Sequence, residues 1–268
     1  SAIVVMNILR ATRNLSLLGL ILAATACSSA PTVKEIDGWS QLERHDYQKA
    51  LMAFDVALRQ QETAELQAGR GRALYFLDQH IASESAYGRA LELNPAQPQW
   101  HMELALVHIA CQDFDDAIAA CNQAIRLDPY LAKAYHNRGF VRHVQHQLNG
   151  AEADFTKAIQ LDAEFAEAYN SRGILQAERG DYRLAIADFQ AAVRLRPHLA
   201  SAHANAAAAN YALGNAELAF VSLNAAIKID RKNPLFYKNR GRIYLDLGNY
   251  DAAINDFEEA LVFAPGDP

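Results

Sequence analysis

The sequence predicts an all-α protein, a solenoid of stacked helix pairs, on three observations. A pattern of small and large residues returns every 34 positions through most of the 268-residue chain. At fixed places in each unit the side chain is Gly, Ala or Ser. Gly-Asp, Gly-Asn and X-Pro pairs recur where one helix must give way to the next. A composition rich in Ala, just over half apolar and about a fifth charged, agrees with helices that bury a core.

The elements follow in chain order. Residues 6–27 read MNILRATRNLSLLGLILAATAC. Arg10 and Arg13 precede an apolar run from Leu15 to Ala24 that is too short to span a bilayer. Residues 1–26 are therefore expected to be a signal peptide, with an upstream extension before Met6. Ala24-Thr25-Ala26 could be an ordinary cleavage site that releases a soluble periplasmic protein. Small residues running into Cys27, then a Ser/Ala/Pro stretch from Ser28 to Thr32, also resemble a bacterial lipobox, with Ala24 where that family usually has Leu. The resemblance implies lipidation (palmitate among the acyl chains) of Cys27, a tether over 27–36, and sorting to the outer membrane from Ser28.

The repeat domain is expected over 37–268. A partial unit at 37–63, recognisable from Asp46 to Leu58, precedes full units at 64–97, 98–131, 132–165, 166–199, 200–233 and 234–267. The eighth position of the full units holds Gly71, Ala105, Gly139, Gly173, Ala207 and Gly241. The twentieth holds Ser83 and then Ala, and the twenty-seventh is always Ala. Small side chains at these places let two helices cross closely, while Tyr135, Tyr169 and Tyr237 at the fourth position fill the remaining space. Gly180-Asp181, Gly214-Asn215 and Gly248-Asn249 predict turns, each with an Asx residue near the next helix start. No unit can bury its apolar face alone, so neighbours must stack. Comparing units adds a charge rule. Arg138, Arg172 and Arg240 at the seventh position accompany Asp154, Asp188 and Asp256 at the twenty-third, which predicts an ion pair between the two helices of a unit. Arg70 with Ala86 breaks that rule.

This constellation resembles the tetratricopeptide-repeat family over nearly all of the mature chain. The resemblance implies a right-handed superhelix whose first helices line a peptide-binding groove. Its groove positions carry Met102, Leu106 and Ile109, then Lys133, His136, Asn137 and Phe140, then Asn205, Tyr211, Lys238, Asn239 and Arg242. The middle of the groove is expected to be an open apolar strip, the mark of a partner site. Asn137, Asn205 and Asn239 share the sixth position, from which an amide could pair with an extended backbone or with its own neighbouring turn. Two Lys, two Asn and an Arg in the pattern of a carboxylate clamp are not assembled.

Other chemistry is poorly represented. Net charge is −6 with no basic cluster in the mature region, so nucleic acid is not an expected partner. No phosphate loop, zincin motif or nucleophile elbow occurs, and neither an enzymatic activity nor a cofactor is expected. His136, His143 and His146 fall on one helical face, giving a metal-binding or catalytic solenoid as the rival from another class, although no acidic or Cys ligand accompanies them. Cys111 and Cys121 are placed too far apart to bridge, and Cys121 reads as a core residue. Phe257, Leu261 and Phe263 have no capping helix after them in this sequence, which suggests a homodimer or a docked partner.

In plan the chain looks like two kinds of outer-membrane lipoprotein, adaptors of the NlpI type and pilotins of type IV pilus secretins. The phrasing from Tyr135 to Gly139 and from Tyr237 to Gly241 is closer to the first. The expected role is that of a non-catalytic scaffold that binds protein partners in the cell envelope.

Overall fold

The computed structural model describes residues 33–264, so the expected signal segment and Cys27 lie outside the described residues. The described residues form fourteen α-helices joined by short turns. They divide into two units, one ending at Gln147 and one beginning at Leu148.

The first unit holds α1 (Val33–Glu43), α2 (Tyr47–Leu58), α3 (Ala64–Phe76), α4 (His80–Leu93), α5 (Pro98–Cys111), α6 (Phe114–Leu127) and α7 (Ala132–Val144). The first six pair as consecutive hairpins. Helix α1 opens at Val33, inside the stretch expected to be tether, so the degenerate first copy is a whole hairpin. The second unit holds α8 (Leu148–Leu161), α9 (Ala166–Glu178), α10 (Tyr182–Leu195), α11 (Ala200–Ala212), α12 (Ala216–Ile229), α13 (Pro234–Asp246) and α14 (Tyr250–Phe263). Here α9/α10, α11/α12 and α13/α14 are the hairpins. No described helix is long and apolar enough to cross a membrane.

A glycine at the eighth position lies against a ring at the twenty-fourth. A methyl group added to Gly173 would come within 2.7 Å of the Phe189 ring, and one added to Gly71 within 2.9 Å of Tyr87. Where the eighth residue is Ala, the twenty-fourth shrinks. Ala105 packs with Cys121, which is fully buried, and Ala207 packs with Leu223. The two positions therefore share one volume. The same contact sets the phase of the first hairpin, in which a methyl group added to Gly38 would come within 2.8 Å of the Phe54 ring. Ser83, the one non-Ala residue at the twentieth position, is fully buried and donates its hydroxyl hydrogen to the Gly71 carbonyl at 2.7 Å.

The expected ion pair forms in the second unit. Arg172 Nε and Nη2 each donate to Asp188 at 2.8 Å, and Arg240 does the same to Asp256 at 2.8 and 2.7 Å. The third guanidinium nitrogen reaches back to the preceding second helix, where Arg172 donates to Thr156 at 3.3 Å and Arg240 to Asn224 at 2.5 Å. Arg138 donates likewise to Asn122 at 2.7 Å within the first unit. Arg70, the exception in sequence, donates to Asp55 at 2.8 Å. Counted from Gly38, Asp55 stands at the twenty-fifth position, as do Asn122, Thr156 and Asn224. The seventh-position arginine is thus a staple to the previous hairpin first, and an intra-hairpin pair where the twenty-third residue is Asp.

Turn chemistry differs between the units. Gly180, Gly214 and Gly248 adopt φ of 86°, 80° and 78° in the second. The first uses His45, Asp78 and Gln112, with His146 after α7, at φ between 59° and 65°. Of the expected Asx caps, Asn249 accepts a hydrogen bond from the Ala252 amide at 3.3 Å, but Asp181 and Asn215 make no such bond.

Candidate partner-binding surface

The face lined by first helices is filled in the first unit; in the second, Glu167, Asn170 and Ser171 of α9 are buried, while Asn205, Ala208 and Tyr211 of α11 and Lys238, Asn239 and Arg242 of α13 are half-buried or exposed. In the first unit Arg72 of α3 pairs with Glu103 of α5, and the Tyr87 hydroxyl donates to the same carboxylate at 2.8 Å. The Arg72 guanidinium also lies over the Trp39 ring, 5.4 Å from its centroid. Burial opposes the charge on Arg72, yet Glu103 and Tyr87 more than offset it, and its pKa is raised. Burial and then the Glu103 carboxylate hold the Tyr87 phenol well above its ordinary range. Phe76 stacks on Tyr47 at 4.5 Å, while Tyr75 leans on His80.

The expected open apolar strip is not open. Met102, Ile109 and Phe140 are 5%, 4% and 4% exposed, and Leu106 is half-buried. Met102 packs with Ala124 and with Ala134 of α7, the small side chain of Ala134 letting that first helix close over the groove-facing Met102. His136 and Asn137 are buried too, and the Asn137 amide nitrogen has no hydrogen-bond partner among the described residues. Lys133 is half-buried. The three histidines do not share a helical face, since α7 ends at Val144 and His146 turns away at φ 59°. Among the described residues no three His, Cys, Asp or Glu side chains are placed to hold a metal ion.

The second unit is different. Its first helices α9, α11 and α13 carry Asn170, Asn205 and Asn239 in succession, with Ala204 and Ala208 between them. The Asn205 amide donates to Asn170 Oδ1 at 3.0 Å, which leaves the Asn170 amide hydrogens and the Asn205 carbonyl oxygen as a neighbouring donor and acceptor. Further along, the Tyr211 hydroxyl donates to Asp246 at 2.8 Å. That bond raises the Tyr211 phenol above its usual pKa. Arg242, largely exposed, approaches the other Asp246 oxygen at 3.5 Å. Lys238 and Asn239 are half-buried beside them. The first turn of α9 holds a buried carboxylate, Glu167, paired with Arg196. Sequence reasoning named Asn205, Tyr211, Lys238, Asn239 and Arg242 but passed over Asn170 and Asp246. Both occupy groove positions, the fifth and the thirteenth, so the same count would have found them.

Known proteins resemble the chain in this architecture. Two family models, each described as tetratricopeptide repeat, match it, one over 69–132, 144–200 and 172–234 and the other over 234–267. A curated relative, the SGT1 homolog of Oryza sativa subsp. japonica, is 31% identical over 70 residues, which are 26% of this chain and 19% of that protein. The chain thus spans about a fifth of the length of that relative. Among solved structures, the Cut9–Hcn1 complex of the APC/C gives a TM-score of 0.76 at 18% identity, over 98% of this chain and 50% of the other. Pseudomonas aeruginosa pilF gives 0.67 at 17% identity, covering 76% of this chain and 93% of pilF. YrrB, described as having an unusual peptide-binding site, gives 0.54 at 22% identity, covering 68% and 94%. At these identities the likeness is one of fold.

Proposed function

The chain belongs to the tetratricopeptide-repeat family, whose repeats form protein-interaction scaffolds, and from that premise we propose that it is a non-catalytic adaptor that holds an extended partner segment along α9, α11 and α13. The Asn205–Asn170 bond carries this reading. It sets the Asn170 amide, at 9% exposure, beside the carbonyl oxygen of the half-buried Asn205 and next to the exposed Ala208, and an extended backbone offers the complementary pair at each residue. Arg242 supplies a cation at the far end of the row, and Tyr211 an aromatic face for a side chain. The first unit, closed by its own side chains, acts as support.

The cell-envelope address rests on residues 6–29 and on Cys27 as the lipid-bearing residue. An outer-membrane lipoprotein facing the periplasm would meet its partners there, either as an adaptor for envelope enzymes or as a pilotin for a secretin. The two readings predict different captured proteins. Cross-linking in intact envelopes, pull-down and identification of the captured chains should give either set. The Asn205→Leu/Arg242→Glu variant is expected to lose the capture at least tenfold with its circular dichroism unchanged. Undiminished capture by that variant would remove the groove from consideration. Phe140→Ala is unsuited to this test, because a buried residue reports on the core.

A further inference from the structure

At the seam between α4 and α5, three positions of the arginine staple are emptied together. Helix α4 carries Ala86 at the twenty-third position, where Asp188 and Asp256 accept from their arginines, and Gly88 at the twenty-fifth, where Asp55, Asn122, Thr156 and Asn224 do so. Helix α5 carries Leu104 at the seventh position, where an arginine stands in four units. A methyl group added to Gly88 would meet nothing within 4 Å. What these substitutions leave is a cleft of about 770 Å³ between α3, α4 and α5, a volume typical of small-molecule sites. The α3 and α5 residues that line it stand at the fourth, seventh and eleventh positions of their units, none of them a groove position, so the cleft is distinct from the filled face.

The polar groups of this cleft are unequally satisfied. Arg89 is fully engaged, with two bonds of 2.9 Å to Glu62 and a third to Glu92. Arg70 donates through Nε alone, to Asp55. Its Nη1 and Nη2 have no acceptor among the described residues, because Ala86 stands where Asp188 receives the Arg172 guanidinium. Glu84, on the same wall, is exposed and has no ion-pair partner among the described residues. His108 borders the cleft at 8% exposure, and its ring makes no hydrogen bond among the described residues. A buried polar ring without a partner is uncommon, and this one faces a space that can hold one. Leu104 and the exposed Ile81 add apolar surface.

We propose that the cleft binds a small zwitterion with an apolar body, an amino acid or a short peptide. Its carboxylate replaces the missing Asp side chain against the Arg70 Nη groups, with the His108 imidazole as a further donor. Its ammonium group pairs with Glu84, and its apolar part lies on Leu104 and Ile81. A simple anion would face the Glu84 carboxylate unopposed, so a ligand of both signs is the complementary one. The site lies within the first unit and does not depend on the row formed by α9, α11 and α13.

L-Leucine and leucyl-leucine, titrated into the full chain by calorimetry, test this, and whichever binds more tightly sets the length of the ligand. At least one should bind saturably at one site per chain. The C-terminal amide and the N-acetyl form of that probe should each bind at least tenfold more weakly. Ala86→Asp supplies Arg70 with an internal carboxylate and should weaken binding at least tenfold, with circular dichroism unchanged. Glu84→Gln, at an exposed position, should abolish the advantage of the free amine over its acetylated form, and it decides the matter if Ala86→Asp unsettles the fold. No saturable binding of either probe, or binding indifferent to both substitutions, would overturn the proposal. Equal affinity for the acid and its amide would do the same.

Discussion

At the scale of single residues, the informative unit is a pair of positions that divide one volume. Gly173 exists because Phe189 occupies the space a methyl group would need, and Phe189 is buried to 1% and cannot step aside. Ala in place of Gly gains about 1 kcal/mol of helix propensity, whereas overpacking costs about 1–3 kcal/mol. The prediction is a sign inversion. Gly173→Ala should lower stability to urea in the natural background, and should raise it by up to about 1 kcal/mol once Phe189→Leu has made the room. The chain already contains the compensated version, Ala207 over Leu223. Additive effects of the two substitutions would show that the ring and the missing methyl group do not compete.

At the scale of the element, the seventh-position arginine converts a row of helices into a stapled array. Arg172 touches its own second helix through Asp188 and the previous one through Thr156, with side chains 21% and 9% exposed in the ion pair. Removing the carboxylate alone strands a largely desolvated guanidinium. Asp188→Ala is therefore expected to cost about 3 kcal/mol in urea unfolding. Arg172→Met/Asp188→Leu, which removes both charges, should cost no more than about 1 kcal/mol. An equal loss in both variants would mean that packing rather than charge is being measured. Much of this was legible in the sequence. The period, the small residues and the pairing of Arg172 with Asp188 and of Arg240 with Asp256 need only a count. The link from Arg70 to Asp55 was hidden because the first hairpin runs one residue short, and a fixed count of 34 places Asp55 out of phase. The candidate surface was half legible. Asn205, Tyr211 and Arg242 are half-buried or exposed, whereas Met102, Ile109 and Phe140 occupy groove positions and are core all the same. Whether a groove position is open depends on how closely neighbouring first helices approach, and side-chain size on both of them sets that distance.

At the scale of the whole molecule, the two units differ in how their turns are made. The second spends a glycine at each left-handed position, while the first forces His45, Asp78, Gln112 and His146 into the same conformation. Such a residue carries roughly 1–2 kcal/mol of steric cost, and glycine returns about 0.4–1 kcal/mol of that as extra freedom in the unfolded chain. Gln112→Gly should accordingly slow hydrogen exchange across α5 and α6, and Asp78→Gly should do less, because Asp tolerates this region better. Faster exchange in α5 and α6 of Gln112→Gly would contradict the strain. One consequence concerns which exchanges each unit can absorb. A left-handed glycine cannot give way to a branched side chain without strain, so the turns at Gly180, Gly214 and Gly248 tolerate little variation, while His45, Asp78 and Gln112 can drift to glycine at no steric cost.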